Sequence, residues 1–155
     1  MSIFILVSSI LIAESAGVIG SVFTASSVRG WYLTLIKPSW NPPAWVFGPV
    51  WITLYALMGV ASSIVWDKRG LPGAKFALWV YGVQLALNAL WSILFFGLKS
   101  PLTAFIEIII LLLAIIVTTI LFWNIDSRAG VLMLPYIAWV LFATFLNYHI
   151  WQLNS

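Results

Sequence analysis

Long apolar runs separated by short polar breaks dominate the chain. Each run is about 20 residues long, the length that an α-helix needs to cross the ~30 Å hydrocarbon core of a bilayer. None shows the short alternating pattern of a membrane barrel strand. The pattern predicts an all-α protein, an integral membrane bundle of five transmembrane helices that forms a single domain, 1–155. The predicted spans are residues 3–25, 45–66, 76–97, 101–123 and 130–151.

Helix-start signals refine these boundaries. Ser100 followed by Pro101 predicts an N-cap with proline at the first helical position. In the same way, Asn41 followed by Pro42 and Pro43 predicts a cap at the start of the second helix.

Composition agrees with the span pattern and removes several function classes. The chain is 63% hydrophobic and 7% charged, with a mean hydropathy of +1.10, so most of its surface must face lipid. It has no cysteine, which excludes disulfides and thiolate chemistry. Its few dispersed charges make no basic face, so we expect no nucleic-acid partner. Because the start lacks a basic signal-peptide region, we interpret it as a retained first span of a multi-pass membrane protein.

The connector between the first two spans, residues 26–44, is unusually rich in tryptophan and proline. Pro38 disfavours helical geometry at Lys37, so local sterics order the segment and little entropy is left to lose on binding. We interpret it as a lid over a cavity for a flat apolar ligand. Pro49 and Pro135 can bend their helices and so open such a cavity, or they are simply tolerated, as prolines in membrane helices often are.

A belt of aromatic residues at the membrane interface is the alternative explanation for the tryptophans. It accounts for Trp66 and Trp151, which lie at predicted span ends. It does not account for Trp51, Trp91 and Trp139, which lie inside spans.

Polar residues inside the spans mark a second set of candidates. Glu14 and Glu107 lie in apolar helices, where an ionised carboxylate costs a few kcal/mol or more. The favoured interpretation is a protonated, hydrogen-bonded carboxyl that ties helices together, because a proton relay would need a longer series. Gln84 and Asn88 share a helix face and suit hydrogen bonds to other helices or a ligand. His149 has no second ligand at metal spacing, so it is expected to pack rather than bind a metal.

Small residues give the third span a face that permits close helix approach. They are Gly82, Ala86 and Ala89. We expect a homodimer through this face, with packing inside one chain as the alternative.

Several motifs together resemble one known family. They are Trp31-Tyr32, residues 37–43 (KPSWNPP), 48–51 (GPVW), 87–91 (LNALW), 135–139 (PYIAW) and 143–148 (ATFLNY). The chain is similar over essentially its whole length to the translocator protein family. This family comprises the tryptophan-rich sensory proteins of bacteria and the mitochondrial peripheral benzodiazepine receptor, and the present chain resembles a bacterial-type member.

The resemblance implies a homodimeric five-helix bundle whose cavity, beneath the first loop, binds porphyrins and synthetic aromatic ligands. It places Trp51, Asn88 and Trp139 in the lining. Further candidates by resemblance are Trp31, Tyr32, Pro42, Trp91, Ala143 and Leu146. No cofactor is obligatory, and porphyrin is expected as a ligand. The family's sterol pattern needs a basic residue after Leu146 and Tyr148, but Gln152 follows here, which makes cholesterol a doubtful partner.

Three functions are compatible with these features. The first is a membrane receptor or carrier that binds tetrapyrroles, in sensing or transport. The second, suggested by resemblance, is light-dependent porphyrin breakdown through Trp51 and Trp139. The third is a structural membrane protein without a ligand. No acid–base pair or metal constellation is evident in the sequence, so hydrolytic catalysis is not expected.

Overall fold

The computed structural model describes residues 2–155 and is a bundle of long helices without strands in that part of the chain. Five of its helical segments are long and apolar enough to cross a membrane, which confirms the predicted fold class. The short helix α2 lies in the first loop, and α4 ends in one turn of π-helix at residues 93–97. The helices are α1 Ile3–Val28, α2 Trp31–Thr34, α3 Ala44–Asp67, α4 Ala74–Ser92, α5 Pro101–Ile125 and α6 Ser127–Leu153.

The connection between α5 and α6 is shorter than the sequence suggested. The predicted gap of residues 124–129 shrinks to Asp126 alone. The Asp126 carboxylate accepts a 2.9 Å hydrogen bond from the Arg128 backbone N–H and so caps α6. It also forms ion pairs with Lys68, at 2.8 Å, and with Arg128, at 2.9 Å. These hydrogen bonds, from Arg128 first and Lys68 second, hold the pKa of Asp126 well below its usual range.

The predicted N-cap of the second long helix is wrong, although the predicted span 45–66 agrees with the observed helix to within one residue at each end. α3 begins at Ala44, and Pro43 precedes it with an extended ψ of 142°. Asn41 does not cap this helix. Its amide instead donates to the Pro42 carbonyl at 3.0 Å and its oxygen accepts from the Tyr32 hydroxyl at 3.4 Å. By contrast, Ser100 caps α5 as predicted, with Pro101 in its first turn.

α1 and α3 pack closely at only one end. A Cβ placed on Gly59 would lie 2.5 Å from the Ile10 Cα, so the two backbones touch there. Tyr55 lies one turn before Gly59 on α3, and its ring covers Gly17 of α1. An added Cβ on Gly17 would lie 2.5 Å from Tyr55 Cε2. Beyond this point the two helices leave between them the space in which the cavity described below lies.

The outer surface of the bundle is apolar, as a lipid solvent requires. On α5, for example, Ile109, Leu113 and Ile120 are exposed on the outside, whereas Ile108, Leu111 and Ile115 are buried in the core. Each long helix therefore presents one apolar face to lipid and another to its neighbours.

Gly59→Ala is expected to destabilise the bundle, because its methyl group meets α1 backbone that cannot yield without moving the helix. Overpacking of this kind costs about 1–3 kcal/mol, which lowers the thermal midpoint by several degrees. Thermal unfolding in detergent measures the change. Gly48→Ala on the same helix is the matched control, because an added Cβ there meets nothing within 4 Å; equal melting of the two variants would contradict the packing argument.

Candidate ligand-binding cavity

A cavity of about 780 Å³ lies inside the bundle, below the first loop. This volume is within the range of pockets that enclose small-molecule ligands. All six helices contribute to its lining. Val18 on α1 and Ile52 on α3 both line the cavity and are also more than half exposed, so the cavity opens sideways between these two helices.

Three tryptophans from three different helices line the cavity: Trp51 on α3, Trp91 on α4 and Trp139 on α6. Trp51 stacks on Tyr55, with ring centroids 5.5 Å apart. Trp91 stacks on Phe95 at 5.1 Å. Trp139 meets Phe47 edge-on at 5.8 Å. Each indole is therefore held by a second ring while part of it remains open to the cavity.

A chain of polar side chains crosses the inner end of the cavity. The Tyr55 hydroxyl donates to Asn88 Oδ1, and Asn88 Nδ2 donates to the Tyr136 hydroxyl at 2.8 Å. Tyr136 in turn donates to Gln84 Oε1 at 3.0 Å. Of these four residues, Asn88 and Tyr55 also line the cavity. The chain joins α3, α4 and α6 and satisfies groups that would be costly in an apolar interior.

A second polar pair fixes the orientation of Trp91. Its indole N–H donates to Asn147 Oδ1 at 3.0 Å, and Asn147 Nδ2 donates to the Pro101 carbonyl at 2.8 Å. Asn147 is almost fully buried. This side chain therefore ties α4, α6 and the first turn of α5 together beside the cavity.

The structure brings most of the predicted site residues together. Seven of the nine line the cavity: Trp51, Asn88, Trp139, Tyr32, Trp91, Ala143 and Leu146. Trp31 and Pro42 lie outside the lining. Trp31 packs edge-on against the cavity residue Phe95, at 5.7 Å, so it supports the wall without lining the cavity. Whether the seven bind a ligand stays a prediction.

Several residues of the cavity wall and of its polar chain were not among the predicted site residues. Tyr55 follows Trp51 by one helical turn and Phe47 precedes it by one, so helical spacing from Trp51 is a signal that finds both. Asn147 lies one position after the predicted Leu146 and accepts a hydrogen bond from Trp91, a contact between two helices that no local pattern indicates. No spacing rule points to Tyr136, whose role comes only from the meeting of three helices.

The first loop covers the cavity through Tyr32, which is buried and lines it. Burial raises the pKa of the Tyr32 phenol, and the hydrogen bond to Asn41 opposes this in part. The Lys37 ammonium lies 4.7 Å from the centre of the Tyr32 ring and donates to the Leu35 carbonyl at 2.9 Å. Lys37 therefore stabilises the lid. Arg29, which follows the last residue of α1, lines the cavity at the end next to the lid.

The end of the chain holds the lid down. Asn154 Oδ1 accepts from the Ile36 backbone N–H at 2.9 Å, and Asn154 Nδ2 donates to the Ile36 carbonyl at 2.8 Å. Close by, Trp40 packs edge-on against His149 at 5.3 Å. The lid is thus attached to α6 by a paired amide contact and an aromatic contact.

The two intramembrane carboxylates have different surroundings, and the expected hydrogen-bonded tie between helices is found for neither. Within residues 2–155, both oxygens of the buried Glu107 lack a hydrogen-bond partner. Glu14 likewise makes no hydrogen bond or ion pair with the described residues, but it lines the cavity, which Glu107 does not.

Comparison with known proteins places this architecture in one family. A model of the TspO/MBR family matches residues 9–152. The chain belongs to the TspO/MBR family. The tryptophan-rich protein TspO of Archaeoglobus fulgidus is 44% identical over 155 residues, 100% of each chain. The translocator protein of Homo sapiens is 41% identical over 138 residues, 88% of this chain and 82% of its own.

A tryptophan-rich sensory protein of Cereibacter sphaeroides is also similar, at 43% identity over 124 residues, 80% of this chain and 77% of its own. These findings confirm the resemblance inferred from the motifs. Membership of the TspO/MBR family and the five candidate spans together identify a multi-pass integral membrane protein.

Asn154→Ala is expected to loosen the lid, because the Ile36 N–H and carbonyl both lose their partner. With about 1 kcal/mol for each hydrogen bond, amide exchange at Ile36 should be roughly tenfold faster or more, with α3 unchanged. Hydrogen–deuterium exchange in nanodiscs measures this. Gln152→Ala, an exposed neighbour, is the control; equal exchange in both variants would show that the amide contact does not hold the loop.

Proposed function

We propose that this protein is a membrane receptor or carrier that binds porphyrins and similar flat aromatic molecules in the cavity, in tetrapyrrole sensing or transport. The observation that carries the proposal is the convergence of Trp51, Trp91 and Trp139 on one enclosed space beside the amide of Asn88. A structural membrane protein without a ligand needs no such space, and packing would be expected to fill it.

The wall chemistry suits a wide aromatic plate. Indole faces offer large stacking areas, and each aromatic pair contributes about 0.5–1.5 kcal/mol beyond simple burial. Trp51 and Trp139 are already held by neighbouring rings, so little side-chain entropy is lost when a ligand stacks on them.

Polar groups lie at the inner end of the cavity and next to the lid, where they can contact the polar groups of a flat aromatic ligand. Asn88 uses one amide hydrogen for Tyr136 and one oxygen lone pair for Tyr55. It therefore keeps one N–H and one lone pair for a ring nitrogen or carbonyl of the ligand. At the end next to the lid, the guanidinium of Arg29 suits a carboxylate group of the ligand.

The opening between α1 and α3 suits a ligand that arrives from the membrane. The exposed lining residues Val18 and Ile52 are apolar. A molecule dissolved in the hydrocarbon core therefore passes apolar side chains as it enters the cavity. The lid then separates the cavity from the aqueous side.

The Trp51→Phe/Trp139→Phe variant is expected to bind protoporphyrin IX about tenfold more weakly, because both indole faces shrink. Titration of the purified protein in the dark, followed by tryptophan quenching and the porphyrin absorption band, measures the affinity. Trp123→Phe is the matched control, since Trp123 is exposed on the outside of α5. Equal affinity of the double variant and the wild type would count against these positions.

The same two tryptophans support a second function, light-dependent porphyrin degradation, because both face the space that the porphyrin would occupy. Illumination of the loaded protein separates the two. A new chromophore that depends on Trp51 and Trp139 would support photochemistry, whereas bleaching that also occurs with an unrelated membrane protein would contradict it.

We also propose a homodimer through α4. Gly82 and Ala86 are exposed there beside Trp79, which is 66% exposed, and small residues let helices approach closely. Ala89, expected on the same face, is buried inside the protomer instead, because it turns toward the bundle and contributes to its core.

Ala86→Leu is expected to shift the dimer toward monomer, because the larger side chain separates the two copies of α4. Light scattering after size-exclusion chromatography in mild detergent reports the mass. Val117→Leu, an exposed change on α5, serves as the control, and an unchanged dimer in both variants would place the interface elsewhere.

A further inference from the structure

Two charged side chains of opposite sign line the same cavity without a partner. Glu14 and Arg29 both belong to the α1 side of the lining, and neither forms a hydrogen bond or ion pair within the described part of the chain. They are fifteen positions apart, which corresponds to about 22 Å along a helix. Arg29 follows the last residue of α1, whereas Glu14 is near its middle.

The position of Glu14 makes an unpaired carboxylate unusual. It lies at membrane depth, where an ionisable group is costly and usually marks a functional path or site. Its side chain is partly buried and is one of the groups at the inner end of the cavity.

The Tyr55 hydroxyl does not supply the missing partner. The Tyr55 ring covers Gly17, one turn along α1 from Glu14. However, the Tyr55 hydroxyl proton is already donated to Asn88. A hydroxyl has a single proton to donate, so the acceptor capacity of Glu14 remains open to whatever occupies the cavity.

From this geometry we propose that Glu14 is the inner recognition group of the cavity and binds an N–H donor or cationic nitrogen of a flat aromatic ligand. The inference rests on the proposed function, because it assumes that the cavity takes such ligands. With Arg29 near the lid, the mainly apolar cavity carries one charged group of opposite sign toward each end. Carboxylate groups of a ligand point toward Arg29, and a nitrogen donor points toward Glu14.

The test compares two probes of the same shape. 9-Aminoacridine is a flat cation at neutral pH, and acridine is its neutral counterpart. Wild-type protein in zwitterionic nanodiscs is expected to bind the cation roughly tenfold more tightly, the range of a hydrogen bond to a charged group. Empty nanodiscs provide the background. This comparison needs no variant and so does not depend on the folding of one.

Glu14→Gln is expected to abolish the preference for 9-aminoacridine, because a neutral amide does not pair with the cation. Protoporphyrin IX, whose charged groups are carboxylates, is expected to bind equally or more tightly, because the amide still accepts from an N–H group and no longer repels the carboxylates. Glu107→Gln is the matched control, because Glu107 is the other acid inside a span and lies outside the lining. It is expected to behave as wild type toward all three probes. Size-exclusion profile and thermal midpoint establish that each variant is folded.

The outcomes separate this inference from the proposed function. If wild type does not prefer the cation, or if the preference survives Glu14→Gln, the role of Glu14 is overturned although porphyrin binding stands. If the preference is lost equally in Glu107→Gln, the effect is not local to the cavity and the inference also fails. If no probe binds wild type saturably, the proposed function and this inference fail together.

Discussion

The close contact between α1 and α3 at Gly59 limits the cavity to one end of this helix pair. Because this glycine allows the α3 backbone to touch Ile10 of α1, the two helices are joined at one end. The cavity occupies the other end, from Glu14 to Arg29 along α1. Tyr55 lies at the boundary, with its ring against Gly17 and its hydroxyl in the polar chain, so packing and hydrogen bonding meet at the inner end of the cavity.

Hydrocarbon surroundings make every buried polar group expensive unless it is paired. The chain from Tyr55 through Asn88 and Tyr136 to Gln84 meets this demand and in doing so fixes the inner end of the cavity. Glu14 and Glu107 do not meet it, since neither carboxyl group has a hydrogen-bond partner among the described residues. Of these two acids only Glu14 lines the cavity, which is why the proposed contact to a nitrogen donor is assigned to Glu14.

The part of the site that could be predicted consists of residues whose position within a single helix already marks them as unusual. Trp51, Trp91 and Trp139 were found because indoles inside spans are poorly explained by an interfacial belt. Trp31 and Pro42 were assigned by resemblance and lie outside the lining, whereas Tyr32 of the same loop lies within it. Trp31 packs instead against Phe95. Asn41 failed as a helix cap because a tertiary partner, the Tyr32 hydroxyl, and the Pro42 carbonyl take its side chain instead.

The sequence by itself determined the five spans, the Ser100 cap and the tryptophan-rich character of the interior, because these depend on local hydropathy and backbone preference. Only the tertiary structure decided the single-residue joint at Asp126, the Asn154 contact with the lid and the exposure of Glu14 to the cavity. Each of these joins residues far apart in the chain or depends on the angle between helices. Distances of that kind are fixed by packing across the bundle, which no local pattern records.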